Sequence, residues 1–273
     1  MKRICYSTLV CSAVMVVALA LAGAAFATPS PNSAFLVLRR FNDCPLSTLT
    51  PSNSYPASIT ITDVMDPACV GFANLHGWDF SEDGGATASL FKNNSSFQYC
   101  AFVRISGATG QGEGGLRLSP WFGQDVDGRF MINAEAGHVP AGEVACFGGR
   151  LPFYSFTGNF GVSYVRGTTV YMRITYVPNG LNSGSPGTIQ YRYIDGTGTY
   201  DSPVLPFNQT NPNDPVAYGD WGILNDATVG GYFQPRANSQ GDLSITWSEI
   251  CYTNTDVVPT QSSTWGRIKT LYR

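Results

Sequence analysis

Five arginines stand inside short runs in which apolar and polar residues alternate: Arg104, Arg117, Arg129, Arg173 and Arg192. Leu116 and Leu118 flank Arg117, Met172 and Ile174 flank Arg173, and Tyr191 and Tyr193 flank Arg192. On a strand, such neighbours turn inward and the arginine turns to the opposite face. A guanidinium grips a carboxylate or sulfate through two parallel hydrogen bonds. Tyr232 and Gln234 are two residues apart in Gly230-Gly231-Tyr232-Phe233-Gln234, so they too share a strand face. Tyrosine and tryptophan rings pack on apolar surfaces while keeping a polar handle. Trp121, Trp78 and Trp221 each adjoin Gly, Pro or Asp and are the candidates to stack on a sugar. The expected ligand-binding set is therefore Arg117, Arg173, Arg192, Tyr232 and Gln234 lining one groove, with Trp121 as a platform. The bland alternative is five solvated arginines, each paired with a local acid.

Other chemistry has weaker support. Glycoside hydrolysis uses paired carboxylates on one face, and no tight E-x-D-x-E pattern is present. Asp125 and Asp127 precede Gly128, which reads as a turn; one such pair supplies too few oxygens for calcium. His76 and His138 are isolated, and no cysteines form a C-x-x-C pair, so neither a histidine base nor a thiol metal site is placed by motif. No catalytic residue, metal or cofactor is assigned.

The elements that must carry these residues read as strands. Alternation marks 58–62, 99–105, 116–118, 129–133, 170–176, 188–194 and 242–252, and 143–147 is a short, mostly apolar strand. In the last run Leu243, Ile245 and Trp247 share a face, whereas Ile250 and Tyr252 are out of phase, which predicts a bulge near Glu249. Clusters of Gly, Asn and Pro at 107–115, 178–187, 195–199 and 208–215 separate the runs. Many short strands with such turns predict a sandwich or barrel, with no helix between residues 30 and 255.

The segments Phe41-Asn42-Asp43, Asn53-Ser54-Tyr55-Pro56, Gly71-Phe72-Ala73-Asn74 and 80–87 come in order, followed by Phe147-Gly148-Gly149, Leu151-Pro152-Phe153-Tyr154 and 230–234. In these the chain resembles a family of exported bacterial proteins with a concanavalin A-like jelly roll and short C-terminal sorting tails. The family's function is undefined, so the resemblance implies a fold: an all-β, two-sheet antiparallel sandwich. Gly230 to Gln234 also resembles part of the terminal motif of alginate-lyase-type jelly rolls, in which a tyrosine transfers a proton. The chain departs from that motif at Thr228, where the lyases have lysine, and it lacks their Gln-x-His strand.

The chain's ends and composition complete the expectation. Met1-Lys2-Arg3, an apolar run to Phe26 and Ala25-Phe26-Ala27 predict a signal peptide over residues 1–27. Residues 28–255 would form the domain, and 256–273 a linker and tail in which Trp265, Ile268 and Leu271 recur every three residues. Five cysteines follow residue 27: Cys44 pairs first with Cys69, and one further pair is expected among Cys100, Cys146 and Cys251. A net charge of −3 argues against nucleic acid as a partner, and no membrane span is expected after signal cleavage. The leading expectation is a secreted or cell-surface, lectin-like protein that binds a polysaccharide, an anionic one in view of the arginines. A polysaccharide lyase or glycoside hydrolase of the same fold is the first alternative, and a structural surface protein without a ligand the second. The oligomeric state is left open.

Overall fold

The structure, a computed structural model, describes residues 28–119, 128–135, 140–148, 151–207 and 221–255. Trp121, Asp125, Asp127, His138, the signal segment 1–27 and the tail 256–273 lie outside the described residues. So the expectations placed on them are neither met nor overturned here.

Among the described residues fifteen strands run β1 (Ser33–Asn42), β2 (Thr48–Ser54), β3 (Ser58–Met65), β4 (Asn74–Ser81), β5 (Phe97–Ser106), β6 (Gly112–Ser119), β7 (Gly128–Asn133), β8 (Val144–Phe147) and β9 (Tyr154–Ser155), then β10 (Val170–Val177), β11 (Thr188–Asp195), β12 (Gly198–Asp201), β13 (Leu205–Pro206), β14 (Thr228–Pro235) and β15 (Gly241–Asn254). They build two antiparallel sheets. One has seven strands in the order β1-β4-β14-β6-β7-β8-β9. The other has eight, in the order β12-β11-β10-β5-β15-β3-β2, with β13 pairing β11. The chain crosses between the sheets after β1, β3, β4, β5, β9, β13 and β14, which makes the sandwich that the alternating pattern predicts and the jelly roll that the resemblance implies.

The inner faces hold an aromatic core. Trp78 of β4 meets Trp247 of β15 edge to face, with centroids 6.2 Å apart, and Phe80 meets Tyr99 at 5.7 Å. Edge-to-face pairs add about 0.5–1.5 kcal/mol each beyond the area they bury. Trp78 is fully buried, which corrects its candidacy as a sugar platform. Two core side chains also reach across the sandwich to pin β6: the Tyr99 hydroxyl donates to Arg117 O (2.8 Å), and Trp247 Nε1 donates to Gly115 O (2.9 Å). Burial without such partners would cost each polar tip, so the pins hold β6 at fixed height against the opposite sheet.

One inward position is charged. Ile59, Ile61, Asp63 and Met65 of β3 all face the core side, and Asp63 is buried. Asn74 Nδ2 and His76 Nε2 of β4 bond its Oδ2 at 2.8 and 2.9 Å, linking the two sheets. His76 Nδ1 accepts the Arg39 N–H at 3.0 Å, so its proton sits on Nε2.

The phase switch predicted near Glu249 is present. The β15–β5 register shifts between Ser248 and Cys251, with Glu249 at φ 48°. Disulfides join Cys44 to Cys69 and Cys100 to Cys251, and Cys146 remains a buried thiol. The expectation of no helix is corrected: residues Phe156–Phe160 form α1. Ser155 Oγ accepts the Gly158 N–H at its start, and Gly161 ends it in the left-handed region at φ 69°.

Candidate functional site

Strand parity sorts the arginines onto two surfaces. Met172, Ile174, Tyr191 and Tyr193 fill the core, so Arg173 and Arg192 project from the outer face of the eight-stranded sheet. Leu116, Leu118, Phe130, Ile132, Val229 and Phe233 also fill the core, so Arg117, Arg129, Tyr232 and Gln234 project from the outer face of the seven-stranded sheet. The expectation of one groove holding Arg117, Arg173, Arg192, Tyr232 and Gln234 is thereby corrected, because the sandwich separates the two sets. Arg104 is exposed on the eight-stranded side.

On that eight-stranded side Arg173 lies directly opposite Arg192 in the register, a like-charge pairing that Asp201 of β12 relieves. Arg192 grips Asp201 through Nε and Nη2, both at 2.6 Å, and Arg173 Nη2 stands 3.9 Å from the same carboxylate. The hydrogen bonds from Arg192 hold the Asp201 carboxyl below the usual carboxylate range. This is a local ion cluster of the kind the bland alternative describes.

The seven-stranded side is different. Its register sets three rows of outward residues across β4, β14, β6, β7 and β8. The first row reads Asp79, Gly230, Arg117, Arg129, Phe147. The second reads Gly77, Tyr232, Gly115, Met131, Ala145. The third reads Gln234, Glu113, Asn133. Gly230 has no room for a side chain, since a Cβ there would lie 1.9 Å from Trp78 O. Arg117 therefore passes over Gly230 and places Nη2 2.6 Å from Asp79 Oδ1. Arg129 Nη1 pairs with Glu113 Oε1 at 2.5 Å, and the Tyr232 hydroxyl lies 3.3 Å from the same oxygen. The Arg129 guanidinium also lies 5.4 Å from the Tyr232 ring centroid and 5.7 Å from that of Phe147. The Arg129 guanidinium thus covers one face of the Tyr232 ring, and the hydroxyl is engaged by Glu113.

This face is polar and yet buried: Arg117 is 2% exposed, Tyr232 1%, Gln234 4% and Asn133 1%. Burial pushes the Tyr232 phenol well above its ordinary value; the Glu113 charge adds to this, and Arg129 pulls partly back. The phenol therefore stays protonated at neutral pH. Arg117 Nε, Asn133 Nδ2, Thr228 Oγ1 and Gln234 Oε1 are buried with no hydrogen-bond partner. A cluster of Leu75, Met131, Ala145 and Tyr232, with Phe41 and Phe147 against it, forms the apolar part of the same surface.

Sequence reasoning singled out Arg117, Tyr232 and Gln234 but missed Asp79, Glu113 and Asn133 as their companions. Glu113 is four residues before Arg117, and Asn133 four after Arg129; even spacing on a strand was the available signal. His76, the remaining described histidine, faces the core and has both ring nitrogens engaged, so it is no base for this surface. Among the described residues no three His, Cys, Asp or Glu side chains are grouped to hold a metal, and no helix is long and apolar enough to cross a membrane.

A two-sheet jelly roll with a polar face on its seven-stranded sheet is the class that fold and geometry define. No known protein family and no curated protein matches the chain. Among solved structures it is similar to an alginate lyase from Corynebacterium sp. (10% identity, 81% of this chain and 93% of that one, TM-score 0.45) and to an alginate lyase from Klebsiella pneumoniae (9%, 82% and 96%, TM-score 0.45). It is also similar to the Lotus tetragonolobus seed lectin (12%, 81% and 98%, TM-score 0.38).

Proposed function

We propose that this chain is a non-catalytic glycan-binding protein whose binding surface is the outer face of the seven-stranded sheet. The four unpartnered polar atoms on that face support the reading. Leaving a buried polar group unpaired costs about 1–3 kcal/mol. Four on one surface, two of them donors (Arg117 Nε, Asn133 Nδ2), one an acceptor (Gln234 Oε1) and one a hydroxyl, suit a ligand that presents both donors and acceptors. Sugar hydroxyls do this at every ring position. The two arginines are matched by Asp79 and Glu113, so the face itself selects hydroxyl pattern rather than net charge.

The same protein is proposed to be exported. The expected signal segment and two disulfides, which persist in oxidising compartments, support this.

A lyase reading has one feature in its favour, the Tyr232 hydroxyl beside the Glu113 carboxylate. Elimination also needs a base at the proton next to the substrate carboxylate. Glu113 is held by Arg129 and His76 faces inward, so the described residues favour binding without turnover.

The test is a screen of neutral and acidic polysaccharides against the chain lacking residues 1–27, with product followed by unsaturated-sugar absorbance. Binding without product supports the proposal. Product makes the protein an enzyme, and silence across the screen moves the structural alternative forward.

A further inference from the structure

We infer that the cavity at one end of the sandwich is a carboxylate subsite for an acidic sugar residue, an inference that rests on the glycan reading of the adjoining face. The cavity holds about 350 Å³ and is lined by Gln111, Asn133, Glu135, Gly142, Tyr164 and Arg166, among others. That volume lies in the roughly 300–1,000 Å³ range of small-molecule sites. Asn133 belongs both to its wall and to the third row of the polar face.

The charges around it do not cancel. Glu135 is answered by Arg236, whose Nε lies 3.1 Å from each carboxylate oxygen. Arg166 donates Nη2 to Ala134 O (2.5 Å) and Nη1 to Gly107 O (3.3 Å), both carbonyls. Among the described residues it forms no ion pair. A guanidinium has five N–H groups, so three remain for a ligand. Asn133 Oδ1 accepts the Glu135 N–H at 2.6 Å, which leaves Nδ2 buried and unpartnered. The Tyr164 hydroxyl is already bonded to Ile105 and Thr168. What the cavity offers is thus a charged donor and an amide donor, beside a Glu135 carboxylate that Arg236 already holds. That set fits an anion, and a carboxylate accepts parallel N–H bonds from guanidinium. The sugar ring comes from continuity with the face through Asn133. Charge recognition, which the sequence attached to Arg117, Arg173 and Arg192, would then reside in Arg166.

Calorimetric titration of the full chain with glucuronate, glucose, acetate and inorganic sulfate tests this, in the wild type, Arg166→Gln and Asn133→Asp. Glucuronate should bind, with glucose and acetate weaker by about tenfold or more, and each substitution should cost at least about tenfold. Arg166 also ties Gly107 to Ala134, so unfolding temperature is measured alongside. Asn133→Asp keeps the acceptor for the Glu135 N–H, removes the donor and adds a negative charge, so a folded variant that loses glucuronate reports an anion held beside this side chain. Equal binding of glucuronate and glucose, or unchanged affinity in Asn133→Asp, overturns the subsite. Acetate or sulfate binding as tightly as glucuronate overturns its sugar part. The two readings fail separately: polysaccharide binding lost in Gln234→Ala but unaffected by Arg166→Gln leaves the face standing and removes the subsite, whereas no binding of any polysaccharide removes the glycan reading itself.

Discussion

Arg117 and Asp79 meet across a glycine: the guanidinium passes over Gly230 and closes to 2.6 Å on the carboxylate, with both side chains almost wholly buried. Removing one partner strands the other charge in a poorly solvated place. Asp79→Ala and Arg117→Ala should each cost about 3–5 kcal/mol. The double variant Asp79→Leu/Arg117→Met should cost much less than their sum. Urea unfolding of the three variants measures it; additive losses would mean the pair is not coupled.

The glycine is as necessary as the pair. A Cβ on Gly230 would fall 1.9 Å from the backbone oxygen of Trp78, which cannot swing aside. Gly230→Ala should destabilise by about 1–3 kcal/mol through overpacking and separate β14 from β4. Hydrogen exchange at Gly231 and Tyr232 should rise in this variant, and an unchanged exchange rate would contradict the tight register.

Alkali should reveal the buried phenols. Burial raises the Tyr99 and Tyr191 hydroxyls well above the ordinary value, as it does Tyr232. A raised folded pKa means that stability is fully present below the unfolded value near 10 and is lost as pH climbs toward the folded value. Of the 14 tyrosines, a resistant group should ionise only with unfolding in a spectrophotometric titration. A single smooth transition near pH 10 in a folded protein would refute this.

Cys146 sits on β8 facing the core, and burial pushes its thiol up. Peptide mapping after alkylation should find Cys146 unlabelled in the native protein and labelled in denaturant. Cys44, Cys69, Cys100 and Cys251 should label only after reduction.

Much of this was legible as parity. Alternation located β3, β5, β10, β11 and β15, and the broken phase of Ile250 against Trp247 marked the bulge that Glu249 makes. By contrast, β4 is buried along its whole length, with Leu75 and Asp79 under the polar face and Trp78 and Phe80 in the core, so alternation gave little signal there. The helix Phe156–Phe160 is too short to show a period and depends on its two caps. At the site, parity put Arg117 opposite the core correctly, and did the same for Arg173. Which sheet each strand joins is decided by long-range pairing, and local sequence does not encode it. That is why Arg173 and Arg192 were grouped with residues on the far side of the sandwich, and why Asp79 went unseen as the partner of Arg117.

The central claim is that a glycan is held on the seven-stranded face and not on the eight-stranded one. It is tested most directly by titrating one polysaccharide identified in the screen against Gln234→Ala and Arg192→Ala. Gln234→Ala should weaken binding by about tenfold, as expected for a lost buried hydrogen bond, and Arg192→Ala should leave it unchanged. Loss of binding in Arg192→Ala with Gln234→Ala unaffected would place the ligand on the opposite sheet and contradict the account.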